Sequence, residues 1–195
     1  MKRVLLLLCK GFEIYEAAAF YDVLGWSGEY GTEGVEVVTV GFQDEIRGTF
    51  GIKVISDQLL SSIKPENFDA LAIPGGFESH GYYEDAYSES VVDLIRIFNN
   101  MEKPIASICV GALPIANSGI LEGRQATTYH FRGGLRRKQL SNFGVNVIDK
   151  QVVMDKNVIT STSPATAIDV AFKLLEKITC KENSDQIRQR MGFKT

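Results

Sequence analysis

Cys109 is the first residue on which chemistry can be argued. It stands in Ala106-Ser107-Ile108-Cys109-Val110-Gly111-Ala112, where an apolar run meets a helix-compatible segment. The pattern parallels the nucleophile elbow of hydrolases, with cysteine in place of serine and Gly111 giving the turn room. A thiol there faces the positive end of the following helix. Such sites favour the thiolate and bring a cysteine from about 8.5 into roughly the 3.5–7.5 range. An arbitrary cysteine at a strand end is a small buried hydrophobe; the elbow makes this one a candidate nucleophile or oxidisable sulfur. Pro74-Gly75-Gly76-Phe77 closes a second apolar run. Alone it is a turn, but beside an elbow cysteine the amides of Gly75 and Gly76 become candidate donors to an oxyanion or anionic ligand. A third junction, Cys9-Lys10-Gly11, ends the first apolar run and opens a helix that carries Glu13 and Glu16 in its first turns. An acid there ordinarily complements the helix dipole, the reading that suits Glu13.

These junctions need strands to hold them. Val4–Leu8, Val35–Val40, Ala70–Ile73, Ile105–Ile108 and Val158–Thr160 are short, β-rich, continuously apolar runs, the mark of strands buried on both faces. Between them fall helical stripes: Ala17 to Leu24 with Gly25 as C-cap, Val91/Leu94/Ile95/Phe98, and Ile168/Ala171/Leu175/Ile178. Strands alternating with helices predict a doubly wound, mostly parallel α/β sheet with helices on both faces, a flavodoxin-like three-layer sandwich. In such a sheet, ligands collect beyond the carboxyl ends of the strands, where all three junctions lie. The 195 residues suit a single domain spanning 1–195. The polar tail from Lys181 reads as a docking helix or a loose end.

Composition excludes several classes. A net charge of −3 with no basic block gives no footprint for nucleic acid or an anionic membrane. Arg132, Arg136, Arg137 and Lys138 read as a solvated helix face. The apolar amino terminus reads as a buried first strand, since it meets Lys10 and Gly11 at once and lacks a cleavage site. No apolar stretch reaches the ~20 residues that span a bilayer. Three widely spaced cysteines predict a reducing, cytoplasmic setting and neither a disulfide framework nor a structural metal. Cys9 reads as core, and Cys180 as lying on or near the last helix.

Taken together, residues 4–16, 69–76, 106–112 and the run Leu-Glu-Gly-Arg-Gln-Ala-Thr-Thr-Tyr at 121–129 resemble the ThiJ/PfpI superfamily, which has the class I glutamine-amidotransferase-like fold. The resemblance implies that Glu16, five residues after Gly11, is a frequently protonated acid that donates a hydrogen bond to the sulfur of Cys109. It implies that Gly75, Gly76 and the Val110 amide surround a bound oxyanion or oxidised sulfur. Cys109 and Glu16 would then lie beyond strands that run side by side. Some relatives place a histidine directly after the nucleophile, where this chain has Val110. Others place one after the Thr-Thr pair, where this chain has Tyr129 and then His130. His130 is therefore a candidate base with His80 its rival, against the somewhat stronger reading of His130 as a surface or supporting residue. Adjacent strand residues point to opposite faces, so Tyr129 and His130 compete for the crevice.

The resulting expectation is a cofactor-free enzyme that adds the Cys109 thiolate to a small carbonyl or related electrophile as hydrolase, hydratase or glyoxalase/deglycase-like catalyst, with Glu16 as acid/base. The alternative is a non-enzymatic stress-response sensor whose Cys109 oxidises reversibly. A ligand-sensing module ranks last, because no helix-turn-helix segment accompanies the domain. The resemblance also implies a homodimer with the site near the subunit boundary. Substrate specificity is expected to lie in pocket-lining loops such as 77–90 and 130–145.

Overall fold

The computed structural model describes residues 1–131 and 133–194. In chain order the strands are β1 (Lys2–Leu8), β2 (Val35–Gly41), β3 (Glu45–Arg47), β4 (Lys53–Ile55), β5 (Gln58–Leu59), β6 (Ala70–Ile73), β7 (Ile105–Ser107), β8 (Gln125–Ala126), β9 (Asn146–Val147), β10 (Val152–Asp155) and β11 (Val158–Ser161). The helices are α1 (Ile14–Tyr30), α2 (Tyr82–Ala86), α3 (Glu89–Asn100), α4 (Ala112–Asn117), α5 (Leu135–Asn142), α6 (Ala167–Ile178) and α7 (Lys181–Arg190).

The main sheet has the order β10-β11-β7-β6-β1-β2-β5. Every pair in it is parallel except β10 with β11, so the doubly wound reading holds. β1 is central and buried from Val4 to Leu8, because a parallel strand is covered on both faces. One helical layer is α1, α6 and α7 packed on one another; α3 and α4 belong to the other. The predicted stripe of α3 is buried throughout, and Ser88 caps its amino end by accepting from the Val91 N–H. In α6, Ala171, Leu175 and Ile178 are buried while Ile168 is only partly so. The buried face there has shifted to Ala167, Val170 and Leu174, because α6 is wedged between the sheet and two further helices. The tail docks: Ile187 is buried, and Asn183 is tied to Ser27 Oγ at 3.0 Å and to the Thr32 N–H at 2.9 Å.

Two readings are corrected. Gly25 does not cap α1, which continues to Tyr30 with Ser27 buried on its inner face. Glycine in a helix interior costs only about 1 kcal/mol relative to alanine, too little to end a helix whose far turns are still packed. The strands preceding Glu16 and Cys109 are also not neighbours, since β6 lies between β1 and β7. The loop after β6 therefore becomes the floor that joins the two residues. Among the described residues no helix is long and apolar enough to cross a membrane.

A Cβ at position 25 would meet nothing within 4 Å, whereas one at Gly28 would lie 2.7 Å from the Val35 carbonyl. Gly25→Ala is therefore expected to raise unfolding stability by about 0.5–1 kcal/mol and Gly28→Ala to lower it. Urea unfolding of both variants checks this; a loss of stability in Gly25→Ala would restore the cap.

Candidate active site

Cys109 follows β7 after one residue and occupies the left-handed region, with φ +56. A non-glycine residue there is uncommon and strained, and such strain gathers at functional sites. The elbow continues as a single 3-10 turn, Cys109–Gly111, into the short α4. Gly111 allows the close crossing, since a Cβ there would lie 2.7 Å from the Ile73 carbonyl. From behind, buried Thr128 donates its hydroxyl to the Cys109 carbonyl at 2.8 Å, which gives the second threonine of the Thr-Thr pair its role.

Glu16 is fully buried in the first turns of α1. Its Oε2 accepts the Gly75 N–H at 2.6 Å, while Oε1 is buried without a hydrogen-bond partner. The carboxyl and the thiol lie within hydrogen-bonding reach of each other, and that contact bears on the titration of both. Burial, reinforced by the charge of Glu13, pushes the Glu16 carboxyl up to about 8 against the pull of the Gly75 N–H, so it keeps its proton at neutral pH. Burial also pushes the Cys109 thiol up; a charged Glu16 adds to this, and the Val110 N–H opposes it. The thiolate expected from the helix end is thus not favoured by the fold alone, because α4 is short and the sulfur is desolvated. A protonated Glu16 removes the repulsive contribution.

The two glycines separate in role. The N–H of Gly75 is engaged by Glu16 and so is withdrawn from the oxyanion group. Gly76 pairs with Phe12 across an antiparallel bridge whose hydrogen bonds run from Glu13 to the Gly75 carbonyl and from Phe77 to the Gly11 carbonyl. That leaves the Gly76 N–H without a partner among the described residues. Gly76, Val110 and Cys109 line one cavity of about 500 Å³. Segments 77–90 and 130–145 contribute Phe77, Glu78, Ser79, Phe131, Leu135 and Arg136 to its wall.

Neither histidine joins this group. Tyr129 and Phe131 line the cavity and His130 between them does not; its Nδ1 is buried without a partner. His130 lies instead toward Asp149, a carboxyl held down by its hydrogen bond from Arg137 and further by His130. His80 bonds Ser79 through Nδ1 and faces a different hollow, with Lys10 and Arg47. Sequence reasoning missed two wall residues. Glu13 is more than a dipole partner: it faces the cavity, half-buried, with its carboxyl pushed up by burial. Arg136 does not belong to a solvated helix face, because it turns into the cavity, bonds Glu78 at 2.7 Å and lies over the Tyr83 ring. Arg137 pairs with Asp149, and Arg132 lies outside the described residues. Among the described residues no three His, Cys, Asp or Glu side chains form a metal-binding group. Cys9 is buried in the core, and Cys180 is the residue before α7.

The raised Glu16 has a consequence for stability. Unfolding releases its proton above about pH 4.5, while the native chain holds it to about pH 8. The native state therefore binds more protons across that window, and stability must fall as pH rises through it. Urea midpoints at pH 5, 6, 7 and 8 are expected to drop for the wild type relative to Glu16→Gln, by up to about 1.4 kcal/mol per pH unit. Parallel curves would mean an ionised native Glu16.

Comparison with known proteins fits this geometry. The model of the DJ-1/PfpI family matches residues 2–177. Protein dj-1beta of Drosophila melanogaster is 30% identical over 190 residues, covering 95% of this chain and 94% of its own. A deglycase of Pyrococcus horikoshii is 34% identical over 164 residues, 84% of this chain and 91% of its own. The crystal structure of Drosophila DJ-1beta superposes with a TM-score of 0.87 at 27% identity, covering 100% of this chain and 99% of that one. The oxidised DJ-1 of Toxoplasma gondii superposes with a TM-score of 0.83 at 25% identity over the whole of both chains. With strand order, elbow and buried acid all in place, the chain belongs to the DJ-1/PfpI family.

Proposed function

We propose that the protein is a cysteine-dependent enzyme acting on a small carbonyl or related electrophile, with Cys109 as nucleophile and Glu16 as proton carrier. The observation that carries this reading is a strained Cys109 on the wall of a cavity, beside a buried carboxyl that titrates near 8. A general acid/base works best with a pKa near the operating pH. Attack of sulfur on the carbonyl carbon forms a C–S bond and moves the π electrons onto oxygen; Gly76 and Val110 both line the cavity, and their N–H groups would meet that charge. The thiol proton ends on that oxygen, giving a thiohemiacetal, and Glu16 is the group that can relay it. For a 2-oxoaldehyde, proton transfer from the thiohemiacetal carbon to the neighbouring carbon, with the carbonyl and hydroxyl exchanging places, gives the thioester of a 2-hydroxy acid; water then cleaves its C–S bond, releasing the hydroxy acid and returning the proton to the Cys109 thiol. The curated relatives include a deglycase, which supports a carbonyl substrate.

A second reading, a redox-sensing stress-response protein, draws support from the absence of an imidazole among the described residues of the cavity wall. Hydrogen peroxide would transfer oxygen to the Cys109 thiolate, releasing water and leaving a sulfenate, and a second equivalent would give a sulfinate. A cytoplasmic setting belongs to both readings, because each needs Cys109 reduced at rest.

A turnover screen over 2-oxoaldehydes, amides and isonitriles tests the first reading. Wild type is expected to consume at least one class, Cys109→Ser to fall to background, and Glu16→Gln to retain more iodoacetamide-reactive thiolate than Glu16→Asp. No turnover together with stoichiometric oxidation of Cys109 by mild peroxide, seen by peptide mass spectrometry, would favour the sensor. Labelling of Cys180 with Cys109 inert and unoxidised would defeat both.

We further propose a homodimer built on the groove between α1 and β4. It is lined by Ile14, Ala17, Tyr21, Val54 and Ile55, of which Tyr21 and Ile55 are well exposed, and Tyr15 is exposed nearby on α1. Exposed apolar surface of this kind marks association sites. Sedimentation equilibrium at micromolar concentration is expected to give twice the monomer mass, and Ile55→Glu to lower it; a wild-type monomer overturns the assembly.

A further inference from the structure

Arg136 is the one cationic side chain among the described residues that line the Cys109 cavity. It is held on three sides. One nitrogen donates to Gln139 Oε1 at 2.8 Å, another to Glu78 Oε2 at 2.7 Å, and the guanidinium carbon lies 5.3 Å from the centre of the Tyr83 ring. Tyr83 also feels the charge of Cys109, so cation and sulfur lie within electrostatic range of one residue. The ion pair is lopsided: the Arg136 side chain is 16% exposed and that of Glu78 64%. Arg136 is part of the wall, with Gln139 and Tyr83 to hold it. Glu78 has no other side-chain hydrogen bond among the described residues. Exposed carboxylates hold their partners weakly, while a partly desolvated, preformed guanidinium fork suits a planar carboxylate.

We propose that Arg136 makes the Cys109 cavity selective for electrophiles that carry a carboxylate or similar monoanion, which takes the place of Glu78 on the guanidinium. The substrate class is therefore an anionic carbonyl compound such as a short oxo acid, and this rests on the reading of Cys109 as a nucleophile. Glu13, the other acid of the wall besides Glu78, disfavours an anion beside itself. Phe77, Phe131, Leu135 and Pro164 are apolar, so Arg136 alone among the described wall residues offers a full positive charge to an anion, while the neutral amides of Gly76 and Val110 are left for the carbonyl oxygen.

The test needs no turnover. Iodoacetate and iodoacetamide have nearly the same shape and differ in charge. Both alkylate a thiolate: a C–S bond forms, the C–I bond breaks, iodide leaves with its electron pair and the thiol proton passes to solvent. The rate of each at Cys109, resolved from Cys9 and Cys180 by peptide mapping at pH 7.5, gives an iodoacetate/iodoacetamide ratio. For wild type this ratio is expected to exceed that of N-acetylcysteine several-fold. Arg136→Gln should lower it about tenfold, the factor for losing one charge-assisted contact. Arg136→Lys should give an intermediate value, and Glu78→Gln, which leaves Arg136 in place without its counterion, should raise it. A ratio unchanged in Arg136→Gln and Arg136→Lys overturns the selectivity, and one unchanged in Glu78→Gln overturns the exchange of counterions. Normal labelling with these ratio changes but no turnover removes the enzyme reading while the selectivity stands. Inertness of Cys109 to both reagents overturns the two together.

Discussion

The close approach at Gly75 is the constraint on which the site depends. A Cβ there would lie 2.9 Å from Glu16 Oε2, 3.0 Å from the Ile108 carbonyl and 3.1 Å from the Val110 nitrogen. Three chain segments, after β1, β6 and β7, therefore meet with no space for a side chain between them. The Gly75 N–H uses that proximity to hold Glu16 Oε2, and the neighbouring Gly76 lies where its own N–H is unused. One glycine positions the acid, and the N–H of the next has no partner among the described residues. Substitution at either would do more than strain a turn: at Gly76 a Cβ would fall 2.3 Å from the Tyr82 ring, whose hydroxyl holds the Pro74 carbonyl.

Burial sets the electrostatics of this junction. Glu16, Cys109 and, more partially, Glu13 are acids withdrawn from water, and each charge placed among them opposes the next. The native site therefore holds protons that an exposed set would release. Groups so close titrate together, so their protons belong to the set and not to one residue. The amide of Val110 lowers the thiol only in part, as expected of a single N–H against full desolvation. Protonation here is thus a property of the group of residues, and Cys109, with its left-handed backbone, lies on the cavity wall among them.

Arg136 and Glu13 show how a wall is assembled from residues that look like surface. Arg136 lies in α5, a short and very polar helix, and Glu13 is the residue before α1. Both turn inward because a deep crevice above the sheet gives polar side chains a third environment between core and bulk water. Tyr83, stacked on Tyr87 and covered by Arg136, forms the platform that makes the cation part of that wall.

Within the chain, the runs Val4–Leu8, Ala70–Ile73 and Ile105–Ile108 were legible as buried strands, since continuous apolarity over so few residues fits little else. The elbow at Cys109 and the turn at Gly75-Gly76 were legible because their local backbone demands show directly in residue type. Glu16 was singled out by motif register and not by its own surroundings, which in sequence match those of Glu13. Strand order was not legible: β6 separates β1 from β7, and nothing local to any strand encodes its neighbours. That order put Gly75 between Glu16 and Cys109 and gave its amide to the Glu16 carboxyl. Tertiary structure alone also decided that Tyr129 and Phe131 face the cavity while His130 does not, and that Arg136 enters it. Side-chain direction and charge environment depend on packing between segments distant in sequence, whereas strand, turn and elbow depend on the few residues that form them.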